Sequence, residues 1–250
     1  MGILRNIAKA IATFFFSLFL ALFLITFLFY NVTSYNTSKE IFTTVFKNIL
    51  LENTTNREIE EVYSSISSYC KVNTNITLPI DNMTLSCSEI LDKDVNTLIN
   101  IIAEKFFEKF YYKSYECDFL ECVKNIRTGE DFAVFFSLKA HNFFERLIWP
   151  LLAITIGSGI ALFFLIETWS GRFKIFGFEF LSIGIFFFLL PYFKDFAVQK
   201  IPKDIPAVEN ILNTVLNQLS SILLIFFILG IIFVSAWVLI KIFGKKSKSK

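Results

Sequence analysis

Four long apolar runs alternate with stretches that are rich in polar and charged residues. The runs cover residues 11–30, 147–166, 175–193 and 222–240. Each is about as long as the roughly 20 residues that a helix needs to cross a bilayer. Because backbone groups cannot hydrogen-bond to lipid, each run is expected to form a helix. The pattern therefore predicts four membrane-spanning helices.

The first run also resembles a secretory signal peptide, because Arg5 and Lys9 give it a basic leading segment. Its apolar stretch is longer than the usual core of about 7–15 residues, and no small-residue cleavage site follows it. Residues 11–30 are therefore interpreted as an uncleaved signal anchor.

Residues 31–146 show apolar positions at helical spacing instead of one continuous apolar run. Three successive sets of these positions predict three helices. Thr54 and Thr55 can cap the second helix, and Asp92 or Asp94 can cap the third. The region is long enough to bury a core of its own, and it is predicted to be a small, mostly helical domain.

Two segments between these helices have a different character. Residues 73–88 contain Pro79 and several Asn residues, and they lack an Asn-Gly or Asp-Gly turn, so a loop is expected. Residues 131–146 are expected to form an amphipathic approach to the second span. In the last outer segment, Pro206 suits the first turn of a helix. An apolar stripe follows it at Val208, Ile211, Leu212, Val215 and Leu219.

The predicted fold is an all-α integral membrane protein with four transmembrane helices. A disulfide-stabilised, mostly helical extracytoplasmic domain lies between the first two. The segments are a cytoplasmic N-terminus (1–10), the first helix (11–30), the extracytoplasmic domain (31–146), the second helix (147–166), a cytoplasmic loop (167–174), the third helix (175–193), an outer loop with an amphipathic helix (194–221), the fourth helix (222–240) and a basic tail (241–250).

The distribution of charge predicts the orientation in the membrane, because short cytoplasmic segments are rich in Lys and Arg. Segments 1–10, 167–174 and 241–250 together hold nine basic residues and one acidic residue. Residues 31–146 hold twelve basic and seventeen acidic residues. The net charge of +2 therefore hides a strong asymmetry. It predicts a multi-pass protein of the cell membrane with both termini in the cytoplasm.

All four cysteines lie in the predicted extracytoplasmic domain, where an oxidising compartment would keep them as disulfides. Local pairing is the simplest arrangement, and it requires a break near Asp118, since two cysteines five residues apart on one helix cannot be bridged. The two cross-linked pairings stay open. Zinc or redox chemistry is less expected, because the chain has no Cys-x-x-Cys and one histidine, His141. The cysteines are Cys70, Cys87, Cys117 and Cys122.

Five Asn-x-Ser/Thr sequons lie in the same domain, and sequons are glycosylated only on the secretory side. They agree with the orientation that the charges predict. The acceptor residues are Asn31, Asn36, Asn53, Asn75 and Asn82.

Glu179 is the only charged residue within the four apolar runs. An ionisable group at membrane depth suggests ion coordination, a proton relay or a pore lining. It lies about five residues from the start of the third run, so it is also close enough to the surface to pair with Arg172 or Lys174. The favoured interpretation is a shallow carboxylate that reaches the membrane interface or pairs with one of these two cations.

The sequence contains no nucleotide-binding or metalloprotease motif, so no enzyme activity, cofactor or metal is expected. Nucleic acid is not expected as a partner, because the one large polar domain is acidic. The predicted partners are the lipid bilayer and another membrane protein, an extracytoplasmic protein or a second copy of the chain. The leading functional hypothesis is recognition or assembly through residues 31–146. The alternative is a small oligomeric channel or transporter with Glu179 near its cytoplasmic mouth.

Overall fold

The structure, a computed structural model, describes residues 2–53, 56–78, 83–125, 134–200 and 206–246. It confirms a mostly helical protein with four apolar helices and two disulfides. The elements are α1 (Gly2–Val32), α2 (Tyr35–Asn53), α3 (Asn56–Cys70), β1 (Asn75–Leu78), β2 (Met83–Ser86), α4 (Cys87–Ile90), α5 (Val95–Tyr111), α6 (Phe119–Lys124), α7 (Leu138–Leu165), α8 (Trp169–Lys200) and α9 (Pro206–Lys246).

The chain divides into two compact units. We call the first the apolar unit, which comprises Met1–Asn31, Asn142–Ile201 and Leu212–Lys250. The second, the disulfide unit, comprises Val32–His141 and Pro202–Ile211. The main segment of the disulfide unit lies inside the stretch 31–146 that the sequence assigns to one domain.

Four helical stretches are long and apolar enough to cross a membrane. They are Ile3–Val32, Leu138–Leu165, Trp169–Leu190 and Val215–Phe243. Between 11% and 17% of the residues in their most apolar windows are buried within the protein. Few of their side chains are therefore fully buried within the protein.

The connections between these helices are shorter than the sequence suggests. α7 ends at Leu165 and α8 begins at Trp169, so Arg172 lies within α8 and not in a loop. At the other end, α8 continues past Pro191 to Lys200, and α9 begins at Pro206. Of the expected outer loop, 194–200 and 206–221 are helical, whereas 201–205 lie outside the described residues. The side chains at 208, 211 and 212 of the expected apolar stripe lie outside them too.

The core of the apolar unit contains side chains from all four apolar helices. Phe16, Leu20 and Leu24 of α1 pack with Leu162 of α7 and with Ile166 just after it. Partly buried residues of α8 and α9 surround them, among them Phe180 and Phe226, whose ring centres lie 5.6 Å apart. Aromatic rings thus fill much of the space between the helices.

Glycines let α8 and α9 approach closely. A Cβ atom on Gly184 would lie 2.4 Å from the Cα of Phe227, and one on Gly230 would lie 2.6 Å from the backbone nitrogen of Leu181. Neither position has room for a side chain, since real Cβ atoms do not come so close to backbone atoms. Small residues that bring backbones together are typical of helix packing in membranes.

In the disulfide unit, α2 and α5 pack through aromatic rings. The Phe42 ring lies 5.6 Å from Phe107 and 6.3 Å from Phe110, and Tyr35 lies 5.2 Å from Tyr111. Phe107 and Tyr111 are almost completely buried. Burial of large rings supplies much of the stability of a small domain.

A second core lies where α3, α4 and α5 meet a β-hairpin. The prediction of a loop over 73–88 was wrong, and the disulfide unit is not all-α, because β1 and β2 pair antiparallel with Thr77 opposite Thr84. Apolar and polar residues alternate along both strands, as expected for a half-buried hairpin. Each strand has only four residues, which is too short for a clear pattern in the sequence. The core residues are Ile66, Cys70, Leu78, Leu85, Cys87, Ile90 and Leu98.

The N-terminus of α5 is capped as the sequence suggests. Asp94 is the N-cap residue, and its carboxylate accepts a hydrogen bond from the Thr97 backbone amide at 3.2 Å. The proposed caps of the preceding helix, Thr54 and Thr55, lie outside the described residues.

Candidate functional site

Glu179 of α8 turns toward α1 within the apolar unit. Its Oε2 atom lies 2.6 Å from the hydroxyl of Ser17, which donates to it. Phe16, which precedes Ser17 in the chain, packs against Phe176 and Phe180 of α8, with ring centres 5.4 and 6.4 Å apart. Hydrogen bonding to Ser17 lowers the cost of holding a carboxyl group within an apolar helix.

Ser17 has a second acceptor within reach. Its Oγ atom also lies 2.9 Å from the carbonyl oxygen of Thr13, one turn earlier in α1. A serine hydroxyl has one proton to donate, and a backbone carbonyl only accepts. The single Ser17 proton is therefore shared between the Thr13 carbonyl and the Glu179 carboxylate, as in a three-centre hydrogen bond.

The two cations expected to pair with Glu179 lie elsewhere. Arg172 donates from Nε to the carbonyl oxygen of Ile166 at 2.9 Å. The ammonium of Lys174 lies 5.8 Å from the ring centre of Trp237. In the described part of the chain, neither forms an ion pair with Glu179. The favoured interpretation missed Ser17, although Thr13 and Ser17, four residues apart, mark a polar face in the first apolar run.

Both disulfides follow the local pairing. Cys70 pairs with Cys87 at a Cα–Cα distance of 5.0 Å, and Cys117 pairs with Cys122 at 5.4 Å. The second pair is possible because α6 begins only at Phe119, which provides the required break. The first links the end of α3 to the start of α4 across the hairpin.

A lysine holds the second disulfide loop in place. The ammonium of Lys139, in the first turn of α7, donates to the carbonyl oxygens of Tyr115 (2.8 Å) and Cys117. These contacts satisfy carbonyl groups in a segment without regular structure. Nothing in the amino-acid pattern indicates this role, because a lone lysine has no distinctive spacing.

The sequon asparagines differ in accessibility. Asn36 and Asn75 are exposed, so neither side chain is part of a buried core. Asn31 is half-buried, and its amide nitrogen donates to the carbonyl oxygen of Phe27 at 2.7 Å. The side chain of Asn53 and the whole of Asn82 lie outside the described residues.

Two groups in the disulfide unit have shifted pKa values. Partial burial, together with the nearby carboxylate of Glu108, raises the pKa of Tyr35, whose hydroxyl donates to Glu108 at 3.2 Å. The hydrogen bonds from the Thr97 side chain and backbone lower the pKa of Asp94. Both groups belong to the disulfide unit, whereas Glu179 belongs to the apolar unit.

Among the residues that the structure describes, no group of three or more His, Cys, Asp or Glu side chains is placed to hold a metal ion. Comparison of the chain with protein-family models, curated proteins and solved structures found no match. Function is therefore inferred from the chain's own residues.

Proposed function

We propose that this chain is a multi-pass membrane protein that binds another protein through its disulfide unit and does not act by catalysis. The four apolar helices would anchor it in the membrane. The disulfide unit would face the extracytoplasmic side, where its partner would be met.

Membrane placement is supported by the outward-facing surface of the apolar unit. Phe14, Ile160, Phe164 and Ile225 are between 52% and 72% exposed, although water would make such exposure costly. A lipid environment removes that cost. Soluble monomers rarely expose large continuous apolar surfaces.

The extracytoplasmic side is supported by the chemistry of the disulfide unit. Two disulfides suit an oxidising compartment. The exposed sequon residues Asn36 and Asn75 suit the secretory route. The excess of basic residues in 1–10 and 241–250 agrees with cytoplasmic termini.

The observation that carries the recognition role is an exposed apolar surface on α3. Val62 is 58% exposed, Tyr69 is 48% exposed, and Val72, just beyond the helix end, is 84% exposed. Val62 and Tyr69 are seven residues apart and therefore share one face. The adjoining side of the helix supplies Ile66 and Cys70 to the core. Aromatic and apolar side chains on a free face are typical of protein interfaces.

A photo-crosslinking residue placed on this face tests the proposal in native membranes. Ser65 is exposed and lies between Val62 and Tyr69 on the same face, so a probe there would contact a bound partner. The expected result is one discrete cross-linked product of defined mass. A probe at Asn100, which is exposed on α5, is the matched control and would give none.

Substitutions then show whether the apolar side chains matter. The double variant Val62→Ser and Tyr69→Ser should abolish the product, whereas Leu120→Ser, which removes another exposed apolar side chain, should not. Equal cross-linking from all these proteins, or a partner that persists when Val32–His141 is replaced by an unrelated domain, would refute the proposal.

A second function, a small oligomeric channel or transporter, is favoured by one observation. Glu179 of α8 accepts a hydrogen bond from Ser17 of α1 inside the apolar unit, so a polar contact links two of the apolar helices. Intramembrane carboxyl groups with polar partners occur along ion and proton pathways. In this role the chain would need further copies of itself to form a pore.

Flux measurements in liposomes test the second function. If it is correct, Glu179→Gln abolishes proton or cation flux, because the amide cannot exchange a proton, and Ser17→Ala reduces it. Absence of flux in the native protein, or equal flux in all three proteins, would exclude this function.

A further inference from the structure

A cavity of about 300 Å³ lies between α7, α8 and α9. Its lining is apolar, and every lining side chain retains some exposed surface, so the cavity is open to its surroundings. The aromatic lining residues are Phe163, Trp169, Phe173, Phe176, Phe180 and Phe233.

Arg172 forms part of the same wall. Its guanidinium carbon lies 4.1 Å from the ring centre of Phe163 and 4.8 Å from that of Trp169. Its Nε atom donates to the carbonyl oxygen of Ile166, which fixes the orientation of the group. In the described part of the chain no carboxylate forms a salt bridge with Arg172, so its two terminal nitrogens keep their capacity to bind an anion.

Two other cations of the apolar unit also lie near an aromatic ring. Lys174 and Lys241 lie 5.8 and 5.4 Å from the ring centre of Trp237. Arg5, by contrast, is paired with Glu167. Tryptophans combined with lysine and arginine are typical of the headgroup level of a membrane. The positive charge that is not paired would attract anionic headgroups.

We propose that this cavity binds a phospholipid with an anionic headgroup. Part of one acyl chain would fill the aromatic cavity, and the phosphate would bind the terminal nitrogens of Arg172. Ligand pockets usually have volumes of about 300–1,000 Å³, so this cavity is near the lower limit. It therefore suits a segment of an acyl chain and not a whole lipid. The proposal rests on the membrane placement proposed above, but not on the binding of a protein partner.

Native mass spectrometry of the detergent-purified full chain tests the proposal. Phosphatidylglycerol should remain bound at least tenfold more strongly than phosphatidylcholine with the same acyl chains. Glycerol phosphate, which has the phosphate without an acyl chain, should not displace it at millimolar concentration. Arg172→Gln should reduce retention about tenfold or more, as expected for the loss of charge-assisted hydrogen bonds to phosphate.

The comparison variant Lys174→Gln removes a positive charge from the same helix and should lower retention much less than Arg172→Gln, because Lys174 lies near Trp237 and does not line the cavity. Arg172→Lys keeps the charge without the planar fork and should retain an intermediate amount. Each variant is first compared with the native protein by tryptophan fluorescence, because all three tryptophans (Trp149, Trp169 and Trp237) belong to the apolar unit. Retention that is unchanged in Arg172→Gln, or displacement of the lipid by glycerol phosphate alone, would overturn the proposal. The partner of the disulfide unit plays no part in these measurements.

Discussion

The apolar unit and the disulfide unit are both built mainly from helices, yet they bury their apolar residues in different ways. In the disulfide unit the large side chains turn inward, and Phe107, Tyr111, Leu85 and Ile90 are almost fully buried. In the apolar unit the core is narrow, few residues are fully buried, and many large apolar side chains are exposed. The first pattern suits water, whereas the second suits an apolar solvent.

The difference also determines which contacts stabilise each unit. A small domain in water gains from covalent links, because its core alone is small. Helices in lipid gain little from apolar burial against one another and depend on close packing. Cysteines accordingly occur in the disulfide unit, and the closest backbone approaches in the apolar unit occur at Gly184 and Gly230.

Removing the disulfide between Cys70 and Cys87 should have the largest effect on stability, and it tests whether the disulfide unit depends on this covalent link. Its sequence separation is 17 residues. Closing a loop of that length is worth about 3 kcal/mol in the chain-entropy description, and the shorter loop at Cys117–Cys122 about 2 kcal/mol. The double variant Cys70→Ser and Cys87→Ser should therefore expose amides of β1, β2 and α5 to faster hydrogen exchange, measured by mass spectrometry.

Tryptophan fluorescence is the internal control for this experiment. Because Trp149, Trp169 and Trp237 all belong to the apolar unit, their emission should not change when the disulfide is removed. An emission shift as large as the change in exchange would show that the two units are not stabilised separately.

Gly184→Ala should have the next largest effect on stability. This variant should destabilise the apolar unit. The added methyl group would meet the Cα of Phe227 at 2.4 Å, so α8 and α9 would have to move apart. Overpacking of this kind costs about 1–3 kcal/mol. The thermal midpoint in detergent, followed by tryptophan fluorescence, should fall.

Gly157→Ala is the matched control, because a Cβ there meets nothing within 4 Å. The same change in a helix with free space should be neutral or slightly stabilising, since Ala has the higher helix propensity. If both variants had the same midpoint, close approach of α8 and α9 would not contribute to stability.

The smallest expected effect concerns the pH dependence of the disulfide unit. The pKa of Asp94 is lowered in the folded state by hydrogen bonds from Thr97. The ionised cap therefore contributes its full stabilisation above the carboxyl's ordinary pKa, and loses it as the pH falls through the lowered folded value. Asp94→Asn keeps a capping oxygen but cannot titrate, so its stability should fall less steeply between neutral and acidic pH.

Hydrogen exchange of α5 at several pH values measures this slope, with Asp92→Asn as the matched control at a neighbouring carboxylate. Equal slopes in the native protein and in Asp94→Asn would show that the cap does not contribute to the acid sensitivity.

Much of the fold could be predicted from the sequence, because long apolar runs and helical spacing are strong signals. The α5 cap at Asp94 and the helix start at Pro206 also carry local chemistry that can be recognised. The hairpin could not be predicted, since four-residue strands show too little alternation and their pairing depends on contacts with α3 and α5. The close approach at Gly230 could not be predicted either, because it depends on which helices are neighbours.

The candidate site was predictable only in part. Glu179 stands out as a charge within an apolar run, but its partner Ser17 is 162 residues away in the sequence. The aromatic cavity is equally non-local, because Phe163, Trp169 and Phe233 come from three different helices. In a chain with 33 Phe residues, the sequence alone does not distinguish those that line a cavity from those that face lipid.

The central claim is that the disulfide unit lies outside a membrane and that the termini lie inside. Labelling of single added cysteines in intact cells with a membrane-impermeant maleimide tests it most directly. Ser65→Cys reports on the disulfide unit, and Ser247→Cys reports on the C-terminal tail. The proposed orientation predicts labelling at Ser65→Cys in intact cells and at Ser247→Cys only after permeabilisation. Labelling of Ser247→Cys in intact cells, with Ser65→Cys protected until permeabilisation, would contradict it.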